Sequence, residues 1–375
     1  RVLEHTWRQW EPQIIYVQHQ TAPFPTRIWL PPFAEPIAPR VAGLMSREVN
    51  TIGMTIAQEL ETNGQVGATH MGQGFDAWYP GYIDYMPMLQ NIASFWTETA
   101  LYDYATPKFY TVADFPPEFR DLRPGSLYSS PWPGGWWRLK NAVDYMETAS
   151  LAVLDYAGKY REDLLWNRYQ AGRNAIARYT KEPPYAYIVP QVQRDPGAAV
   201  ALLKRLAFLG VRVTELSRDA THGGARYAKG AWVIPMNQEY SELVRQLFDV
   251  QSYPDLRGDD GAPEPPYDAA GWTLPYQMDV RVIEARVPLS ADFLSAMQAV
   301  QGKGTDAASA DAPLSTNAMA AGIVPPPARI TGTGPALVVD PAQNDAFRLI
   351  NRALASGGTV HVEGGRYVVS GVATA

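Results

Sequence analysis

The sequence predicts an α/β fold in two successive regions, and three observations carry that expectation. Short apolar runs rich in β-branched and aromatic residues, such as Ile14-Ile15-Tyr16-Val17 and Tyr185-Ala186-Tyr187-Ile188-Val189, alternate with stretches whose apolar residues recur every three or four positions. The order strand, helix, glycine, strand occurs twice in the C-terminal half. There Lys229-Gly230-Ala231-Trp232-Val233-Ile234 is similar to Gly364-Gly365-Arg366-Tyr367-Val368-Val369 at a constant offset of 135 residues. A length of 375 residues leaves room for two or three domains, at roughly 150 residues each.

Taken in order, the run Ile14 to Val17 is a short buried strand ending at Gln18-His19-Gln20. A proline-rich loop follows, then an amphipathic helix over Val41 to Glu61, with Val41, Leu44, Met45, Val49, Ile52, Ile56 and Leu60 on one face and a stop at Asn63-Gly64. A stretch laden with Gly, Tyr and Pro leads from Gly67 to Pro87 into a second apolar run, Ile92 to Glu98. After the irregular, aromatic Tyr128 to Trp137, helical periodicity from Leu139 to Tyr179 predicts two helices, whose positions Val143, Met146, Leu151 and Leu154 suit packing on a sheet or bridging two domains. The two related βαβ-like units come last. The expected organisation is a first α/β region over 1–150, a helical connector over 151–180, a first α/β unit over 181–290, an Ala, Gly and Pro-rich linker or insertion over 291–334, and a second unit over 335–375.

Composition narrows the function. There is no cysteine, which removes disulfides, thiolate metal sites and thiol nucleophiles, so any metal must rest on His, Asp or Glu. A net charge of −6 without a basic run argues against a nucleic-acid partner. No apolar run reaches the roughly 18 residues of a membrane span. The chain enters patterned sequence directly at Arg1 and reads as the C-terminal fragment of a longer protein, with any signal peptide lying upstream. Its 11 Trp and 21 Tyr supply flat surfaces with polar tips, suited to heavy cores or to clefts that grip sugars and peptides.

Among five histidines none has a partner at the spacing of a self-contained zinc motif. His19 is the best single candidate, because open α/β sheets bind ligands beyond the carboxyl ends of their strands. Glu98 holds the matching place at the end of the second run, on the same strand face as Ser94 and Trp96, and suits a general base. Tyr79 and Tyr82 in the loop Gly74 to Tyr85 are candidate hydrogen-bond donors to substrate, and Arg27 is a candidate anchor for an anionic group. His70, His222 and His361 read as structural. A second reading treats the chain as a glycan-binding or glycan-cleaving protein, with Trp78, Trp132, Trp136 and Trp137 as stacking surfaces and Asp76 with Glu98 as paired acids.

The segment Trp10-Glu11-Pro12-Gln13-Ile14-Ile15-Tyr16-Val17-Gln18-His19-Gln20 resembles the strand carrying the third zinc ligand in zinc carboxypeptidases of the carboxypeptidase A type. Ser94-Phe95-Trp96-Thr97-Glu98 resembles that family's strand bearing the catalytic glutamate. The likeness covers residues 1 to about 150 and is greatest to a bacterial branch with a long C-terminal extension. It implies the C-terminal part of a mixed peptidase sheet, followed here by a smaller Rossmann- or flavodoxin-like module. It also implies zinc, with His19 as a ligand and the other ligands upstream of Arg1, Glu98 as the base, a peptide or protein substrate, and an extracellular or periplasmic setting. The piece alone is expected to be inactive. Oligomeric state is left open.

Overall fold

A computed structural model describes residues 2–71, 74–100, 105–267, 271–300, 320, 322–327 and 329–371. The chain is mixed α/β, built of several small sheets with no barrel among the described residues. Contacts gather it into two compact units, one drawn from Gln9–Ala175 and Arg245–Gly271, the other from Arg1–Arg8, Ile176–Val244 and Trp272–Ala375.

After helix α1 (Val2–Trp10), the first of these units is built on four strands: β1 (Ile14–His19), β2 (Ile28–Leu30), β4 (Ala68–His70) and β6 (Ala93–Thr99). They lie in the order β1-β6-β2-β4, with β1 parallel to β6, β2 antiparallel to β6 and β2 parallel to β4. Two-stranded pairs join β3 (Ala34–Ile37) to β5 (Asp76–Ala77) and β7 (Lys108–Tyr110) to β8 (Gly135–Trp137). Strand β2 was not legible: its three residues sit in the stretch read as a proline-rich loop, yet Ile28, Trp29 and Leu30 are fully buried. Three residues are too few to show a period, and the flanking prolines mask them.

Helix α2 (Gly43–Thr62) forms as the spacing predicts and buries Met45, Val49, Ile52, Ile56 and Leu60. It packs against α3 (Leu139–Lys159), which is followed by α4 (Arg161–Lys181). The face α3 buries is a different one from that expected. Val143, Leu151 and Leu154 are exposed, and Ala142, Tyr145, Ala149, Ala152, Val153 and Tyr156 go inward. Small alanines let two helices approach closely, so alanine positions rather than leucines mark the contact. On α2 the buried Glu48 accepts a hydrogen bond from Asn167 Nδ2 on α4 at 3.1 Å. Burial, with the carboxylate of Asp163 adding to it, pushes Glu48 up to about 7.

The second unit holds a five-stranded sheet in the order β14-β9-β13-β10-β15, made of β9 (Ala186–Val189), β10 (Thr214–Leu216), β13 (Trp232–Pro235), β14 (Ile283–Ala285) and β15 (Met297–Ala299). All four of its ladders are antiparallel. This corrects the Rossmann- or flavodoxin-like expectation. Helix α5 (Pro196–Phe208) does join parallel strands β9 and β10, but the hairpin β11 (Ala220–His222) and β12 (Ala225–Tyr227) then returns β13 between them. A doubly wound sheet pairs neighbouring strands in parallel, and none of the four ladders here is parallel. Three short helices accompany these strands: α6 (Ser241–Phe248), α7 (Leu274–Gln277) and α8 (Ala291–Ala296). Residues 291–299, placed by sequence in the linker, supply α8 and β15, and residues 301–319 of that linker lie outside the described residues.

The repeat is present in the topology. β16 (Ala336–Val339), α9 (Asp345–Ala355), β17 (Thr359–Glu363) and β18 (Arg366–Ser370) form a three-stranded sheet in the order β16-β18-β17, which reproduces β9-β13-β10 with the same antiparallel ladders. Trp232 pairs with Val189, the last residue of β9, and Tyr367 with Val339, the last residue of β16. The second copy makes its own sheet and does not extend the first.

Candidate functional site

Parallel pairing of β1 with β6 sets His19 directly opposite Glu98, at the carboxyl ends of both strands. Side chains opposite one another in a ladder share a sheet face. The two therefore meet: His19 Nδ1 lies 3.0 Å from Glu98 Oε2. Thr21 closes the arrangement from the turn after β1, donating its N–H at 2.8 Å and its Oγ1 hydroxyl at 2.7 Å to the same Oε2. Three bonds on one oxygen leave Oε1 as the carboxylate atom that can meet a solvent molecule. The Glu98 side chain is 4% exposed and that of His19 60%, so the acid is walled in and the imidazole reaches outward. In the tautomer that donates Nδ1–H to this carboxylate, the lone pair of Nε2 is left for a further ligand.

The face bearing the pair is lined with rings. Trp96, two residues before Glu98, packs against Trp29, Phe33 and Tyr82, and Tyr79 in turn meets Tyr82 edge-on at 5.5 Å. The structure thus brings the tyrosine-bearing loop to the His19–Glu98 face. Asp84 belongs to the same loop; its main-chain carbonyl accepts Ser94 Oγ at 2.7 Å, and its Oδ1 is buried with no hydrogen-bond partner. Burial pushes this carboxyl up to about 6, the charge of Glu98 adding to the rise and that of His19 opposing it. On the opposite face Tyr16 stacks on Phe95 at 5.0 Å and shares a hydrogen bond with Thr97 Oγ1 at 2.9 Å, which fixes the strand spacing.

Arg27 goes elsewhere. Its guanidinium lies 3.9 Å from the ring centroid of Trp132 and 4.6 Å from that of Trp137, with Nε donating to the Pro25 carbonyl and Nη1 buried without a partner. The side chain is sealed, and burial lowers its pKa to about 10. No contact joins it to the His19–Glu98 pair. Asp76, one of the paired acids of the glycan reading, accepts the backbone N–H groups of Trp78 and Tyr267 on its two oxygens and serves to hold a turn. His70 bonds the Pro31 carbonyl at 2.7 Å and is buried, as a structural histidine would be.

Two residues of the cluster were not singled out from sequence. Asp84 stood in the loop among several carboxylates and phenols, and only its burial distinguishes it. Thr21 stands two residues after His19 without a motif of its own. Among the described residues there is no group of three or more His, Cys, Asp or Glu able to hold a metal ion. No helix among the described residues is long and apolar enough to cross a membrane. Compared with protein-family models, curated proteins and solved structures, the chain matches none.

Proposed function

We propose that the His19–Glu98 pair belongs to a hydrolytic site of the zinc metallopeptidase type acting on peptide bonds, in an extracellular or periplasmic protein. One observation carries the reading: an exposed imidazole and a walled-in carboxylate lie 3.0 Å apart at the ends of adjacent parallel strands. The residue order of strand-His, helix, tyrosine-rich loop and strand-Glu supports the same reading.

Within it, Glu98 is the base. The carboxylate takes a proton from the attacking water, a tetrahedral adduct forms at the scissile carbonyl, and the same proton passes to the departing amine nitrogen. Thr21 holds Oε2 so that Oε1 faces the water. The ring wall of Trp96, Tyr82 and Tyr79 would exclude bulk solvent, and the two phenols would serve as hydrogen-bond donors to a substrate carbonyl. His19 would hold the metal through Nε2, with Glu98 orienting the ring through Nδ1. Zinc, when bound, polarises the carbonyl and acidifies the water. The described residues would provide one of its ligands, and the reading requires two more.

The 375-residue chain should therefore bind zinc weakly and hydrolyse no peptide. A longer protein containing it should do both with blocked and free-carboxyl peptide reporters. In that active protein Glu98→Gln should keep zinc and lose turnover by about 10²–10⁴, whereas His19→Ala should lose both. Normal turnover by the zinc-loaded Glu98→Gln protein, or no peptidase activity in any longer form, would end the proposal.

A further inference from the structure

Beyond the end of α2 lies a cleft of about 320 Å³ walled by Trp132, Trp136, Trp137 and Tyr145, with Gln65 and Asn141 among its polar lining. We propose that this cleft is a binding subsite for a neutral hexopyranose ring, independent of the His19–Glu98 pair. Its volume sits at the small end of ligand sites and suits a single ring.

Three features converge on that ligand. Trp136 is 52% exposed yet braced, with Phe109 edge-on at 5.5 Å and the Arg138 guanidinium 4.5 Å from its centroid, so it offers a fixed aromatic surface to the apolar face of a sugar. Gln65 Oε1, on the lining, is buried and accepts no hydrogen bond, so it is an orphan acceptor that a sugar hydroxyl can satisfy. The charge facing the cleft is already spent: Asp144 receives Lys140 Nζ on both oxygens at 2.7 Å, which leaves no call for an ionic ligand.

The walls are also set in advance. Tyr145 donates its hydroxyl to the Val66 carbonyl at 2.7 Å, and at Gly67, where φ is +93°, a Cβ would come within 2.7 Å of Arg27 Cγ. The segment Gly64 to Gly67 is thus pinned against the caged arginine, and little ordering is needed on binding.

The test is intrinsic tryptophan fluorescence and calorimetric titration of the full chain with cellotetraose, chitotetraose, xylotetraose and maltotetraose. At least one should bind saturably, and Trp136→Ala and Gln65→Ala should each weaken it about tenfold or more, with Trp136→Phe recovering part of the loss. Circular dichroism should show the variants folded, since Trp136 is half-exposed. Glu98→Gln should bind as the parent does, which separates this site from the peptidase proposal. No binding of any tetrasaccharide at about 10 mM, unchanged binding by Trp136→Ala, or saturable binding of a proline decapeptide where no saccharide binds would overturn it.

Discussion

Glu48 turns ordinary pH into a lever on stability. It lies on the buried face of α2, held by Asn167 and pressed by Asp163, and its carboxyl is raised from 4.5 to about 7. A raised acid binds its proton more tightly when folded. Its contribution is complete below the unfolded value of 4.5 and is lost as pH climbs through the folded value near 7. A gap of about 2.5 units at 1.36 kcal/mol each amounts to about 3 kcal/mol between acid and alkaline conditions. Glu48→Gln keeps the shape and a partner for Asn167 but has no proton to lose. Parent and variant should therefore match near pH 4, and the variant should be the more stable by about 3 kcal/mol near pH 9. Urea unfolding at a series of pH values measures this, followed by tryptophan emission, to which the buried Trp29, Trp78, Trp96, Trp132 and Trp137 of the same unit contribute. A difference that stays flat from pH 4 to 9, or a variant weaker at pH 9, would show that the carboxyl is not held neutral by its burial.

Two further outcomes follow from close contacts. Gly53→Ala should destabilise by about 1–3 kcal/mol despite the better helix propensity, because a Cβ there collides with the Pro31 carbonyl oxygen; the melting temperature reads it. Thr21→Val removes the hydroxyl donor to Glu98 and leaves the N–H, so in an active form of the protein kcat should fall about tenfold with KM little changed; a shift confined to KM would place Thr21 in substrate binding instead.

The parts of this molecule legible in sequence are those with a long period or a matched end. Helix α2 announced itself through seven apolar positions, and the pairing of His19 with Glu98 could be anticipated because both close apolar runs that one sheet aligns. The repeat was visible at Trp232 and Tyr367, which take equivalent ladder positions in their two sheets. Other features depended on contacts that a linear reading does not contain. Strand β2 is defined by its neighbours β6 and β4, the buried face of α3 by the nearness of α2, and the sealed position of Arg27 by rings more than 100 residues away. Parallel and antiparallel pairing is likewise a property of connections, which is why the hairpin before β13 overturned the doubly wound expectation.

The grouping of Arg245–Gly271 with Gln9–Ala175 bears on how the chain is made. Tyr267 stacks edge-on against Phe75 at 5.3 Å and donates its N–H to Asp76, Tyr253 meets Trp78, and Asp249 pairs with Arg40. On a ribosome, where the N-terminal part emerges first, the unit that starts at Gln9 cannot complete itself when Ala175 appears. It must wait through about 70 more residues for its last segment. A product stopped at Val244 would leave Asp76 without one backbone donor, Arg40 without its carboxylate, and Phe75 and Trp78 open to water, a species fit for chaperones more than for solution. The two units are therefore not beads to be cut apart at a single bond, and any attempt to express one alone must splice two stretches of sequence for the unit that starts at Gln9 and three for the other.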